Sequence, residues 1–250
     1  MEIRTDIPKV GVEHFEVTPY LADFQGRLTM TVLGNFLLHT AAMHAEQRGF
    51  GIEEMNAMNR TWVLSRLAIQ IDRYPKKLEH FSIETWIEDC NRLFTQRNFA
   101  FVDADGNDFG YARSIWAAMD ITTRRPTNLS ILEEFRAFFH DRHCPIDGPS
   151  KQLAVNGVLA RTYSVKYSDL DINSHHNSIR YIEHACDLYS KDRYAKQQIR
   201  RFDISFINES AFGDRIDLIT NALSESSEQI EFRKNATEAI ARVKVEFIDK

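Results

Sequence analysis

The chain has 250 residues and a mass of 29.1 kDa, enough for one large domain or two modest ones. Hydrophobic residues at 43%, charged residues at 27%, 10 Gly and 6 Pro exclude a disordered or collagen-like chain. A net charge of −5, without a long Lys or Arg run, argues against nucleic acid or a membrane surface as the main partner.

In chain order, extended sequence at Glu13 to Thr18 leads to a helical pattern from about Thr29 to Arg48. There Met30, Leu33, Leu37, Ala41 and His44 recur three or four apart, and Gly49 suits a left-handed stop. Strands are predicted at Trp62 to Tyr74, Phe81 to Glu88, Leu93 to Val102 and Tyr111 to Thr122. Asp105-Gly106 supplies the tight turn between the last two. A short helical piece starts at Ser130, and the Pro- and Gly-containing run His143 to Ser150 reads as a connector.

The second half repeats the plan: a strand at Arg161 to Tyr167, a helix from about Ser174 to Tyr189, and strands near Arg201 to Asn208, Arg215 to Ala222, Gln229 to Lys234 and Ala239 to Ile248. In the last, Val243, Val245 and Phe247 share a predicted buried face, and Arg242, Lys244 and Glu246 a wet one. Arg66 to Ile71 overlies Arg201 to Phe206 at an offset of 135, which sets Tyr74 on Glu209. Asp23 overlies Asp169 at an offset of 146, which sets Gln25, Arg27 and Thr29 on Asp171, Asn173 and His175. An internal repeat of this kind predicts an α+β chain of two units, residues 1–145 and 146–250, each a long helix wrapped by a curved antiparallel sheet.

Polar density peaks at Ser168 to Asn177, ahead of the second helix. With a helix starting at about Ser174, Asp171, Asn173 and His175 crowd its first turn, where free N–H groups favour a developing oxyanion and so acyl transfer. Asp, Asn and Ser also serve as helix caps, but a cap accounts for one or two such residues and not for five with His175 and His176 adjacent. On the offset above the first copy lacks the set, which predicts one active site, in the second half. Metal binding by Asp171, His175 and His176 is disfavoured because adjacent helical histidines diverge by about 100°. No metal and no cofactor is expected. Cys186 falls at core spacing with Ile179, Ile182 and Tyr189, and there is neither a G-x-S-x-G elbow nor a phosphate loop.

The segments Trp62 to Arg66, Ile71 to Pro75, Glu84-Thr85-Trp86, Thr123 to Pro126, and above all Asp169-Leu170-Asp171-Ile172-Asn173-Ser174-His175-His176-Asn177 with Arg180-Tyr181-Ile182, resemble the acyl-acyl-carrier-protein thioesterases of plants and bacteria, from about Phe15 to Phe247. The resemblance implies a tandem (double) hotdog and hydrolysis of the fatty acyl thioester that ends fatty-acid synthesis. It carries the family's catalytic aspartate, asparagine, histidine and glutamate onto Asp171, Asn173, His175 and Glu209. Plant members have a cysteine beside the glutamate where this chain has Ser210, which removes a Cys-His mechanism. His176 and Ser178 depart from the family's H-V-N-N.

On this reading water attacks the thioester, Glu209 and His175 handle its proton, Asn173 orients the neighbouring groups or a water, and Asp171 fixes the imidazole or attacks as a nucleophile. The expected partner is an acyl carrier protein bearing its chain on 4'-phosphopantetheine, steered by Lys76-Lys77, Arg124-Arg125 and Arg200-Arg201. The first half is expected to line the acyl tunnel, with Met30, Leu33, Leu37 and Met43 either facing it or serving as core. Rival readings are an acyl-CoA thioesterase, a hotdog hydratase and a non-catalytic acyl-binding protein. A homodimer stays open. Three scattered cysteines, Cys90, Cys144 and Cys186, no secretory or organelle leader at Met1-Glu2-Ile3-Arg4 and no apolar span give a cytoplasmic expectation, away from membranes.

Overall fold

The computed structural model describes residues 4 and 6–250, and of 130–134 the backbone alone. Met1, Glu2 and Ile3, part of the N-terminus read above for a leader, lie outside the described residues. The chain divides into two compact units, residues 1–28 with 35–148 and residues 29–34 with 149–250.

The first copy of the repeat contains Gly11–Glu16 (β1), Met30–Gln47 (α1), Ile52–Ala57 (α2), Arg60–Ile71 (β2), His80–Cys90 (β3), Phe94–Asp103 (β4) and Asp108–Asp120 (β5). Its strands run antiparallel in the order β1-β3-β4-β5-β2. The second contains Val158–Ser164 (β6), Ser178–Cys186 (α3), Lys191–Lys196 (α4), Gln197–Phe206 (β7), Arg215–Ala222 (β8), Ser227–Lys234 (β9) and Glu238–Asp249 (β10), with the order β6-β8-β9-β10-β7. The two orders are the same topology, so the repeat seen in the sequence is a repeat of structure.

The predicted strands are all present, with ends moved by a few residues. Gly106, at φ 85°, turns β4 into β5 while Asp103 Oδ1 accepts from the Asp105 and Asn107 amides at 3.0 and 2.8 Å. In α1 the periodic residues Met30, Leu33, Leu37, Ala41 and His44 are buried, and Gly49 takes the left-handed stop. The second helix is shorter than expected: α3 ends at Cys186, and the chain re-enters helix at α4, capped by Ser190.

The run read as a connector is packed. Trp86, on the outer face of β3, donates from Nε1 to the Arg142 carbonyl at 2.8 Å, and Arg113 donates to Ile146 O at 3.2 Å, so Cys144 and Ile146 are buried against the first sheet. In the second unit Val155 N donates to Glu231 at 3.2 Å, and Arg242 donates to Gln152 O at 3.3 Å. The face of β10 expected to be wet is therefore half-buried, and its charges are paired: Glu231 accepts from Arg233 at 2.5 Å and from Arg242 at 2.6 Å.

One buried group in α1 makes the fold acid-sensitive. His44 is 1% exposed and shares its Nε2 proton with Lys9 O at 3.0 Å. Burial, with the Arg97 and Arg48 charges nearby, lowers its pKa from 6.5 to about 2. Below pH 6.5 the unfolded chain takes up a proton that the folded chain refuses, so stability falls with pH, by about 2 kcal/mol at pH 5 for this group alone. Chemical denaturation between pH 7 and pH 5 should show that loss, and His44→Leu should make the fall smaller by about 2 kcal/mol. Equal slopes in the two proteins would contradict the assignment.

Candidate active site

The loop Leu170 to Asn177 is built around one carboxylate. Asp171 Oδ1 accepts from the amides of Asn173 at 2.8 Å and His175 at 3.1 Å, while its backbone N–H donates to His175 O at 2.8 Å and its carbonyl accepts from Ser174 N at 3.0 Å. Ser174 is held at φ 62°, a left-handed conformation that costs a non-glycine residue about 1 kcal/mol. That conformation cannot continue into a helix, so α3 starts at Ser178 and not at Ser174. Asn177 is its cap, accepting from Ile179 N at 3.0 Å.

This corrects the expected oxyanion site. Asp171, Asn173 and His175 precede the helix and so do not occupy its first turn, and five of the nearby amides have partners: His175 N to Asp171, His176 N to Ser210 O, Asn177 N to Asp169 O, Ile179 N and Arg180 N to Asn177. It also corrects the alignment of the two copies. Bridges Ala22↔Leu28 and Leu170↔His176 are 148 positions apart, and bridges Arg27↔Lys76 and His175↔Ala211 show that β2 onward keeps the offset of 135. Asp23, Gln25, Arg27 and Tyr74 therefore take the places of Asp171, Asn173, His175 and Glu209. Asp23 makes the same turn, accepting from Gln25 N at 2.8 Å and Arg27 N at 3.0 Å, with Gly26 at φ 74° where Ser174 stands. The aspartate is common to both copies, and the asparagine, histidine and glutamate are present only in the second.

The His175↔Ala211 bridge lays the loop along the segment that follows β7 and brings His175 Nε2 to 3.4 Å from Glu209 Oε2. The two side chains are 36% and 49% exposed, so both face solvent while touching each other. Asn173 is exposed on the same loop. The structure thus brings Asp171, Asn173, His175 and Glu209 to one place. Asp171 engages the backbone of His175, where the sequence reading has it fixing the imidazole or attacking as a nucleophile. Behind the pair, His176 Nδ1 lies 3.2 Å from Ser210 Oγ, which lies 3.0 Å from Tyr181 Oη. Burial lowers the His176 pKa to about 4 and pushes the Tyr181 phenol up to about 12. The sequence reading missed this network, because each member alone looks like core.

Burial raises the pKa of all three free thiols, Cys186 to about 12, which leaves no ready thiolate among them. Among the described residues no group of three His, Cys, Asp or Glu side chains could hold a metal ion, and no helix is long and apolar enough to cross a membrane. Of the basic pairs, Lys76, Lys77, Arg124 and Arg125 are exposed, but Arg201 is engaged by Asp203 at 2.7 and 3.0 Å.

Residues 8–139 match the model of the acyl-ACP thioesterase N-terminal domain, and residues 154–249 that of the C-terminal domain. Among curated relatives, the chloroplastic oleoyl-acyl carrier protein thioesterase 2 of Arabidopsis thaliana is 25% identical across 84% of this chain, which spans 62% of that protein's length. A crystal structure of an acyl-ACP thioesterase from Bacteroides thetaiotaomicron is 46% identical with a TM-score of 0.91, covering 96% of this chain and 98% of that one. The 12:0-ACP thioesterase from Umbellularia californica, 20% identical and covering 98% of this chain and 99% of that one, shares the fold at a TM-score of 0.85. The fold is a double hotdog, and with both domain models matched in order along one chain, the protein belongs to the acyl-ACP thioesterase family.

Proposed function

We propose that this chain hydrolyses fatty acyl thioesters of acyl carrier protein, releasing the free fatty acid and the carrier's 4'-phosphopantetheine thiol and so ending fatty-acid synthesis. The observation that carries the reading is the solvent-facing His175–Glu209 contact, at 3.4 Å, on a loop whose counterpart in the first copy has arginine and tyrosine instead. Together His175 and Glu209 take a proton from water as its oxygen attacks the thioester carbon, and return it to the departing sulfur when the C–S bond breaks. The side-chain amide of Asn173, exposed on the same loop as His175, is the donor assigned to the carbonyl oxygen. Asp171 holds the His175 backbone in register. Residues 146–250 carry the chemistry, and residues 1–145 are assigned to the acyl chain. The three free cysteines support the cytosol as the compartment.

Comparing kcat/KM for the same acyl groups, short to long, on acyl carrier protein and on coenzyme A tests this reading. Carrier substrates are expected to be preferred by at least about 10-fold, since only they offer a protein surface to the exposed basic side chains. Equal or better use of acyl-CoA would overturn the carrier assignment. Addition of water to an enoyl thioester with the thioester intact would overturn the reaction class.

A further inference from the structure

The repeat supplies an internal control for the polar network behind Glu209. At the two offsets fixed by the bridges, Phe15, Leu28, Leu33, Phe36 and Pro75 of the first copy correspond to Tyr163, His176, Tyr181, His184 and Ser210 of the second. The backbone is the same in both: Leu28 N donates to Pro75 O at 2.9 Å, and His176 N to Ser210 O at 2.8 Å. The ring pair is retained as well, with Phe15 stacked on Phe36 at 4.2 Å and Tyr163 stacked on His184 at 3.8 Å. One copy folds with five apolar residues at positions where the other buries polar groups.

That difference is costly. His176 Nε2, Tyr163 Oη and both ring nitrogens of His184 are buried with no hydrogen-bond partner among the described residues. Each such atom has given up its water without gaining a bond in exchange. Packing does not require them, because the first copy does without. The copy that carries them is the copy that has His175 and Glu209.

We propose that His176, Ser210 and Tyr181, backed by the stacked Tyr163 and His184, form a positioning network that holds Glu209 against His175. His176 directly follows His175 and Ser210 directly follows Glu209, so the clamp acts one residue from each member of the pair. It has two points: the His176 N–H to Ser210 O bond at 2.8 Å and the Ser210 hydroxyl set between His176 Nδ1 at 3.2 Å and Tyr181 Oη at 3.0 Å. Ser210 is 3% exposed, His176 6% and Tyr181 3%, so water does not compete for these bonds. Fixing a group such as Glu209 within a fraction of an ångström is what a supporting shell does for a reacting pair.

The proposal rests on the thioesterase reading for its kinetic test and on His175 itself for a second one. Tyr181→Phe, toward the apolar character of the first copy, is expected to keep the melting temperature, while Ser210→Ala, which leaves His176 Nδ1 and Tyr181 Oη without their shared partner, should lower it by a few degrees and still fold. Each should lower kcat by about 10- to 100-fold with KM within about twofold, and Ser210→Cys, which keeps a weak donor, should recover part of the loss. In a Glu209→Gln background, Ser210→Ala should cost nothing further, because it acts through the group already lost. The 15N resonances of the His175 imidazole should move in Ser210→Ala, whether or not a substrate has been found. Folded Ser210→Ala and Tyr181→Phe variants with wild-type kcat, full additivity with Glu209→Gln, or unmoved His175 resonances would overturn the network. Failure of the wild-type protein to cleave any acyl thioester would instead count against the thioesterase reading, and the resonances would still decide the positioning.

Discussion

Glu209→Gln and His175→Ala are each expected to lower kcat for acyl-ACP hydrolysis by at least about 100-fold, the scale of losing a positioned acid or base. The fold should not suffer. Both side chains are a third to a half exposed, and an exposed pair of this kind contributes about 0–1 kcal/mol, which for 250 residues moves the melting temperature by only a few degrees. The two losses should not add, because a proton handled by two groups 3.4 Å apart cannot be handled by either alone. A double variant that is no slower than the worse single one is the expected signature. Activity within about threefold of wild type in both single variants would remove the pair from the chemistry.

Asp171 separates two roles that the sequence left open. Its Oδ1 accepts two backbone amides, and Asp23 does the same in the copy without the histidine and glutamate, so its work here is to shape the loop that presents His175. Asp171→Ala removes the acceptor and should cost at least about 100-fold in kcat, as a displaced acid or base does. Asp171→Asn keeps an oxygen at the same place and should stay within about 10-fold of wild type. If Asp171 attacked the thioester itself, asparagine would be as damaging as alanine. Equal losses in the two variants would therefore contradict the loop-shaping role.

Much of the fold was legible because it was written twice. Alternation in Val243, Val245 and Phe247, helical spacing from Met30 to His44 and the Asp-Gly turn before β5 are local patterns, and each appears in the structure where it was read. The loop ahead of the helix was not legible in register. The offset of 146 matched Asp23 to Asp169, but two aspartates stand in the second copy, and only the amide bonds show that Asp171 is the counterpart. The same bonds, with Ser174 at positive φ, move the helix start by four residues and take Asp171, Asn173 and His175 out of its first turn. The Pro- and Gly-containing run 143–150 was read as a linker, since composition cannot show that Trp86 needs a cover. Glu209 and His175 are 34 positions apart, and only the family resemblance joined them before the structure did. Ser210 and His176 stand out in the sequence only as departures from the family's pattern, and that they join Tyr181 in one network emerges from the structure and from superposing the two copies at the right offset.

If water cleaves a carrier-bound acyl thioester at His175 and Glu209, the acid and the thiol must appear together and must depend on that carboxylate. The most direct test incubates the wild-type protein and Glu209→Gln with acyl-ACP and counts free fatty acid and free carrier thiol together. Equimolar fatty acid and thiol over many turnovers are expected from the wild type, and at most about a hundredth of that rate from the variant. Bound acyl-ACP with no thiol released, or equal release by both proteins, would contradict that cleavage.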